Sequence, residues 1–121
     1  MKLSLVSIEK DGIIRVAVDG NITMADFGAG EKNPMETLLG ANWATNRVLL
    51  NLEKCNYIDS SAIGWLIQCN KMFKEAGGSF VAYCLQPSVR QILDVLKIGR
   101  VVPLVADEAE ARTLAVGGGA Q

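Results

Sequence analysis

The sequence predicts an α/β protein with a mixed β-sheet of about five strands covered by about four helices, in the order β-β-α-β-α-β-α-β-α. An Asp11-Gly12 turn between two alternating segments indicates an antiparallel hairpin. The nearly continuous apolar run 47–52 is typical of a central strand buried on both faces. In the second half, strand and helix patterns alternate, which favours parallel strands joined by right-handed crossovers.

The first half predicts two strands and one short helix. The segments 3–8 and 13–19 alternate between apolar and polar residues and form the expected hairpin. Glycine and proline interrupt the segment 21–46, in which we expect only a short helix that begins near Pro34. The strand 47–52 follows it.

The second half predicts three helices and two strands. Ala62, Leu66, Cys69, Phe73 and Ala76 recur at helical spacing and form the expected buried stripe of a helix over 61–76. Gly77-Gly78 ends that helix. The later elements are a strand over 79–85, a helix from Pro87 to about Gly99, a short strand over 101–105, and a helix capped by Asp107 that ends near Val116. We therefore expect one domain over 1–116 and a flexible tail over 117–121.

Composition excludes several classes of function. A chain of 121 residues fits one domain, and its net charge of −1 argues against nucleic-acid binding. No apolar run approaches the ~20 residues that span a bilayer, and no signal pattern begins the chain, so we expect no direct membrane insertion and a cytoplasmic location.

The chain contains no histidine, which excludes serine-hydrolase triads and typical zinc sites in their usual forms. The three cysteines, Cys55, Cys69 and Cys84, form no CxxC pair and are expected to be reduced. Neither GxGxxG nor GxxxxGK[ST] occurs, which disfavours a nucleotide-binding enzyme. We expect no catalytic residue, no cofactor and no metal site.

The most informative stretch is Asp59-Ser60-Ser61, at the turn between the central strand and the long helix. A hydroxyl or carboxylate there could cap the helix, and a serine could instead be a nucleophile or a phosphorylation site. Trp65 and Met72 lie on the flank of the same helix, and they either pack beneath a neighbouring element or form an apolar patch for a partner. For Tyr57 the preferred interpretation is core packing.

Several segments of this sequence resemble the STAS domains, the bacterial anti-sigma factor antagonists. They are Leu50-Asn51-Leu52, the motif Asp59-Ser60-Ser61-Ala62-Ile63-Gly64, Ala76-Gly77-Gly78, the segment 87–93, and Ile98-Gly99. The resemblance covers about residues 3–116 and is strongest over 47–102.

The resemblance implies that Ser60 is phosphorylated by an anti-sigma factor that is a serine kinase of the histidine-kinase-like ATPase type. The unphosphorylated form would bind this partner. The residues implied in partner binding are Asp59, Ser61, Ala62, Ile63, Gly64 and Trp65. The alternative is a STAS scaffold or adaptor without phosphorylation, in a signalling or lipid-transport complex.

The sequence departs from the family pattern at two places. Ala62 occupies a position at which the family usually has glycine, and its methyl group is expected at the surface that a partner approaches. The segment 20–23 lacks the acidic residue that the family often has after the second strand.

Overall fold

A computed structural model describes residues 1–28 and 30–118. Five strands form one sheet in the order β1-β2-β3-β4-β5, with β1 antiparallel to β2 and the other neighbours parallel. The strands are β1 (Lys2–Ile8), β2 (Ile13–Asp19), β3 (Arg47–Lys54), β4 (Ser79–Tyr83) and β5 (Leu104–Val105). The predicted α/β class, hairpin and parallel half of the sheet are confirmed.

Four α-helices connect and cover the strands: α1 (Pro34–Leu39), α2 (Ser60–Ala76), α3 (Pro87–Val95) and α4 (Glu108–Gly118). Three short 3₁₀ turns, Met24–Asp26, Trp43–Thr45 and Ile98–Arg100, complete the connections.

Several elements have other boundaries than the sequence predicts: β3 extends to Lys54, and β4 ends at Tyr83 instead of residue 85. The helix that begins at Pro87 ends at Val95, because Lys97 takes a left-handed backbone conformation with φ of 56°. The strand predicted over 101–105 is only two residues long. Helix α4 reaches Gly118, beyond the predicted end near Val116, and positions 119–121 of the expected tail lie outside the described residues.

The main core lies between one face of the sheet and α1, α2 and α3. Val48, Leu50 and Leu52 of β3 are fully buried there. They pack with residues of α2 that form most of the predicted stripe, namely Ala62, Leu66, Cys69 and Phe73, all 0% exposed. Ala76, the last member of that stripe, is exposed at the end of the helix. Burial of these apolar side chains fixes α2 against the sheet.

Helix α4 covers the opposite face of the sheet. Its Ala111 and Ala115 pack against a small apolar cluster that includes Leu49 and Val81. Ion pairs add to this contact: Glu108 lies 2.8 Å from Arg15 of β2, and Arg112 lies 3.0 Å from Glu9 in the turn after β1. Strand β3 is therefore buried on both faces, as its apolar run predicts.

The glycine pair after α2 meets two separate requirements. Gly77 has φ of 84° and ends the helix in the left-handed conformation, with its N–H bonded to carbonyl groups of the last turn. A Cβ atom at Gly78 would collide with the backbone oxygens of Ala44 and Asn46. Glycine at position 78 thus lets the start of β4 approach the chain that leads into β3.

Gly78→Ala is expected to lower the free energy of unfolding by ~1–3 kcal/mol, because backbone atoms must shift to admit the methyl group. Gly64→Ala is the matched control, since Gly64 is exposed on α2 with open space around its Cα. It should raise stability by up to ~1 kcal/mol through helix propensity. Urea unfolding measures both, and equal stability of the two variants would contradict the steric account.

The three cysteines are free, with Cys55 and Cys69 buried and Cys84 partly exposed at the end of β4. Burial raises the pKa of Cys69 to about 12, against a smaller opposing effect of a hydrogen bond from Asn33. A thiol with such a pKa is almost entirely protonated at neutral pH and is a poor nucleophile.

A thiol reagent at neutral pH should label Cys84 first and Cys69 only when the protein unfolds. The rate at Cys69 should therefore follow the unfolding rate as denaturant is added. Cys84→Ser should remove the early phase and leave the slow one. Labelling of Cys69 at a rate that denaturant does not change would contradict this.

Candidate functional site

The start of α2 is held by the loop that follows β3. In that loop Ile58 forms a parallel bridge with Ile22, and both side chains are buried. The N–H of Ile22 donates to the carbonyl of Tyr57 at 3.1 Å, and the N–H of Asp59 donates to the carbonyl of Ile22 at 3.3 Å. The chain after β2 and the chain after β3 are thereby joined next to the predicted motif.

Asp59 is the N-cap of α2 and also a link to the 3₁₀ turn after β2. Its Oδ1 accepts from the N–H of Ala62 at 3.0 Å, and its Oδ2 accepts from the N–H of Met24 at 2.8 Å. These hydrogen bonds, the one from Ala62 foremost, hold the pKa of the Asp59 carboxyl below its usual value. The ionised carboxylate is therefore the form that joins the two segments.

Ser60 is the first residue of α2 and is exposed. Because Asp59 provides the helix cap, the hydroxyl of Ser60 is not required for that role. The next residue, Ser61, is half-buried. Of the roles that the sequence left open, capping belongs to Asp59.

The other motif residues divide into two groups. Gly64 is exposed and Ile63 is half-buried, whereas Ala62 and Trp65 are buried. The expectation that the Ala62 methyl faces a partner is wrong, because that methyl lies in the main core. Direct partner contact through Trp65 is also contradicted, since its ring packs beneath the segment that precedes α1. Of the residues implied in partner binding, those that remain at least partly exposed to solvent are Asp59, Ser61, Ile63 and Gly64.

Asn33 fixes that segment to α2, a role that the sequence analysis missed. Its Oδ1 accepts from the indole N–H of Trp65 at 3.0 Å and from the N–H of Met35 at 2.9 Å. The second contact caps α1, and Phe27 adds a tilted aromatic contact to Trp65 at 5.7 Å between ring centroids. An Asn directly before a proline at a helix start was the available signal.

Two exposed residues that the sequence analysis did not assign to the site lie next to the Asp59 turn. Met24 is 71% exposed and Tyr57 is 50% exposed, so core packing of Tyr57 is wrong. Both adjoin the Asp59 turn, Met24 through its hydrogen bond and Tyr57 through its position in the chain. We call Met24, Tyr57, Ser60, Ile63 and Gly64 the Ser60 face.

A groove of about 700 Å³ lies beside this face, between α2 and the segment that precedes α1. Apolar side chains form much of its lining, with charged residues among them; the lining includes Phe27, Glu31, Lys32, Trp43, Ser61, Trp65 and Met72.

Within the described residues, the helices are all too short or too polar to cross a membrane. In the same part of the chain, acidic and cysteine side chains form no group of three that could hold a metal ion.

The sequence over residues 4–111 matches the family model of the STAS domain. The chain belongs to the STAS domain family. One curated relative is an anti-sigma F factor antagonist of Paenibacillus polymyxa, which is 26% identical to this STAS domain over 66 residues. The match covers 54% of this chain and 56% of the relative, so it spans little more than half of either protein.

Solved structures share the fold of this STAS domain. A Thermotoga maritima protein named as a candidate anti-sigma factor antagonist aligns with a TM-score of 0.74 and 18% identity, over 95% of this chain and 93% of that chain. The unphosphorylated anti-sigma factor antagonist SpoIIAA aligns with a TM-score of 0.60 and 17% identity, over 97% and 96%. The phosphorylated form of the Bacillus protein SpoIIAA aligns at 0.56 and 13% identity, over 95% and 97%. At these identities the likeness concerns the fold alone.

Asp59→Asn should weaken the link between α2 and the 3₁₀ turn, because an amide NH₂ cannot accept one of the two hydrogen bonds. We expect lower stability at neutral pH and faster hydrogen exchange at Met24 or Ala62. The folded pKa of Asp59 is lowered, so its stabilisation exists above the unfolded pKa of about 4 and disappears as pH falls through the folded pKa.

The free energies of unfolding of the parent protein and of Asp59→Asn should therefore become equal at low pH. Glu75→Gln, on the exposed face of α2, is the control and should leave both exchange rates unchanged. A stability difference that persists undiminished in acid would contradict the assigned role of the carboxylate.

Proposed function

We propose that this STAS domain is an anti-sigma factor antagonist that binds an anti-sigma factor and is switched off by phosphorylation of Ser60. The observation that supports this most is the exposed Ser60 at the first position of α2, next to a cap provided by Asp59. A side chain in that position can be modified without loss of the helix cap. The curated relative named as an anti-sigma F factor antagonist agrees with this assignment.

The surface that would receive the partner is the Ser60 face. Exposed Met24 and Tyr57 provide apolar contact area on the side of the 3₁₀ turn. Exposed Gly64 leaves open space one turn further along α2, into which a partner side chain could extend. Aromatic residues and methionine are frequent at protein interfaces, which makes this part of the surface suitable for docking.

The partner is proposed to be the kinase itself, of the histidine-kinase-like ATPase type. It would transfer the γ-phosphoryl group of ATP to Ser60 Oγ, with ADP and the hydroxyl proton as the other products. The STAS domain supplies the acceptor hydroxyl and its position, and its role is regulatory rather than catalytic. The absence of histidine from the sequence agrees with that role.

A phosphate on Ser60 adds a charge of about −1.5 to −2 at physiological pH. The N-terminal end of α2 offsets part of this charge, because the helix dipole is positive there. Asp59 opposes it, since its lowered pKa keeps the neighbouring carboxylate ionised. We therefore expect little rearrangement within the domain and a large effect on a partner docked over Ser60, where an unpaired charge costs several kcal/mol.

Incubation with the kinase partner and ATP, followed by mass spectrometry of peptides, tests the modification. We expect one phosphate on Ser60, none on Ser60→Ala, and an unchanged yield on Ser61→Ala, because Ser61 is less exposed than Ser60 and is not the proposed acceptor. Phosphate on Ser61 would contradict the assignment. No phosphate on either residue would favour the alternative of an adaptor without phosphorylation.

Binding to the same partner, measured by calorimetry, tests the switch. Ser60→Asp should weaken binding by at least ~10-fold, equivalent to about 1.4 kcal/mol, whereas Ser60→Ala should retain it. Tyr57→Ala should also weaken binding, because half of that side chain is exposed on the Ser60 face. Leu96→Ala is its control, as an exposed apolar residue at the end of α3. Equal affinities for Ser60→Asp and Ser60→Ala would sink the switch mechanism.

A further inference from the structure

A second cavity, of about 550 Å³, lies at the opposite end of α2 from Ser60. It is bounded by the last turns of α2, the start of β4, the chain before β5, and α4. Its lining includes the polar Asn70, the charged Lys74, and the apolar Phe80, Pro103 and Leu114. Volumes in this range accommodate small organic ligands. Ser60 and Asn70 are ten residues apart on one helix, which places the cavity about 15 Å along α2 from the phosphorylation site.

The cavity exists because the sheet is incomplete at this edge. Strand β5 pairs only Leu104 with Ala82 and Val105 with Tyr83, so the first three residues of β4 have no neighbouring strand on that side. Pro103, immediately before β5, has no N–H with which to extend the ladder. Because β5 begins only at Leu104, a recess beside Phe80 lies where a full-length fifth strand would run.

Asn70 is the one buried polar residue among the described core residues, with 4% of its surface exposed. Its amide Nδ2 donates to the carbonyl of Val101 at 2.6 Å. Among the residues that the structure describes, its Oδ1 accepts no hydrogen bond, although the side chain borders the cavity. This oxygen is not among the fully buried atoms that lack a partner, so it is an accessible acceptor at the cavity, and an N–H or O–H group of a bound molecule can donate to it.

We propose that this cavity is a binding site for a small ligand with an aromatic or aliphatic body and one hydrogen-bond donor directed at Asn70 Oδ1. The apolar body would lie against Phe80, Pro103 and Leu114. The donor would complete the hydrogen bonding of Asn70, whose Nδ2 is already fixed by Val101. The site is separate from the Ser60 face and does not depend on phosphorylation.

Indole is a suitable probe, because it combines an aromatic body with a single N–H donor. Titration of the ¹⁵N-labelled protein with indole should shift the amide resonances of Asn70, Phe80 and Leu114, with a dissociation constant on the order of 1 mM for a ligand of this size. Under the same conditions 1-methylindole should bind at least about threefold more weakly, since it lacks the donor.

Leu114→Glu should weaken indole binding by about tenfold, because it places a charge at the apolar wall of the cavity. Leu114 is 39% exposed, so this change should leave the fold intact, which the spectrum of the free variant checks. Leu96→Glu, at a 54% exposed leucine directly after α3, is the matched control and should bind indole like the parent protein.

The proposal would be overturned by the absence of a saturable shift at the cavity residues, by equal binding of indole and 1-methylindole, or by equal binding of indole to the Leu114 and Leu96 variants. Shifts confined to the groove beside the Ser60 face would also overturn it, because they would place the ligand at the other end of α2.

Discussion

The Asp59 carboxylate joins two segments that lie 35 residues apart in the chain, and the geometry around Ser60 depends on it. One oxygen caps α2 and the other accepts from the backbone of Met24. A carboxylate has two acceptor oxygens and can accept both hydrogen bonds at once. An amide or a hydroxyl in the same place has only one acceptor oxygen, so it could not accept both in this geometry. The 3₁₀ turn after β2 and the first turn of α2 are therefore held next to each other.

This arrangement places the structural role and the proposed regulatory role on two adjacent residues, Asp59 and Ser60. If Ser60 were the cap, phosphorylation would remove a hydrogen bond on which the helix depends. With Asp59 as the cap, the hydroxyl of Ser60 is exposed at an end of the helix whose dipole tolerates added negative charge. A change in charge can then act on a docked partner without disrupting the domain.

The sheet supplies the rigid support for both ends of α2. Strand β3 is covered on one face by α2 and on the other by α4, so the turn that leads from β3 to Asp59 starts from a fixed position. At the other end of α2, the two-residue β5 leaves a recess that Asn70 borders. The length of α2 thus separates the proposed partner face from the proposed ligand cavity.

The sequence by itself determined the fold class, the hairpin, the apolar β3 and the start of α2, because these depend on local periodicity and on turn and cap residues close together in the chain. It also placed Ser60 correctly at a helix start. Tertiary structure alone decided which motif residues are accessible: Trp65 is covered by the segment that Asn33 holds, and Tyr57 is left exposed. Those outcomes depend on contacts between residues about 30 positions apart, as between Asn33 and Trp65, which no local pattern encodes.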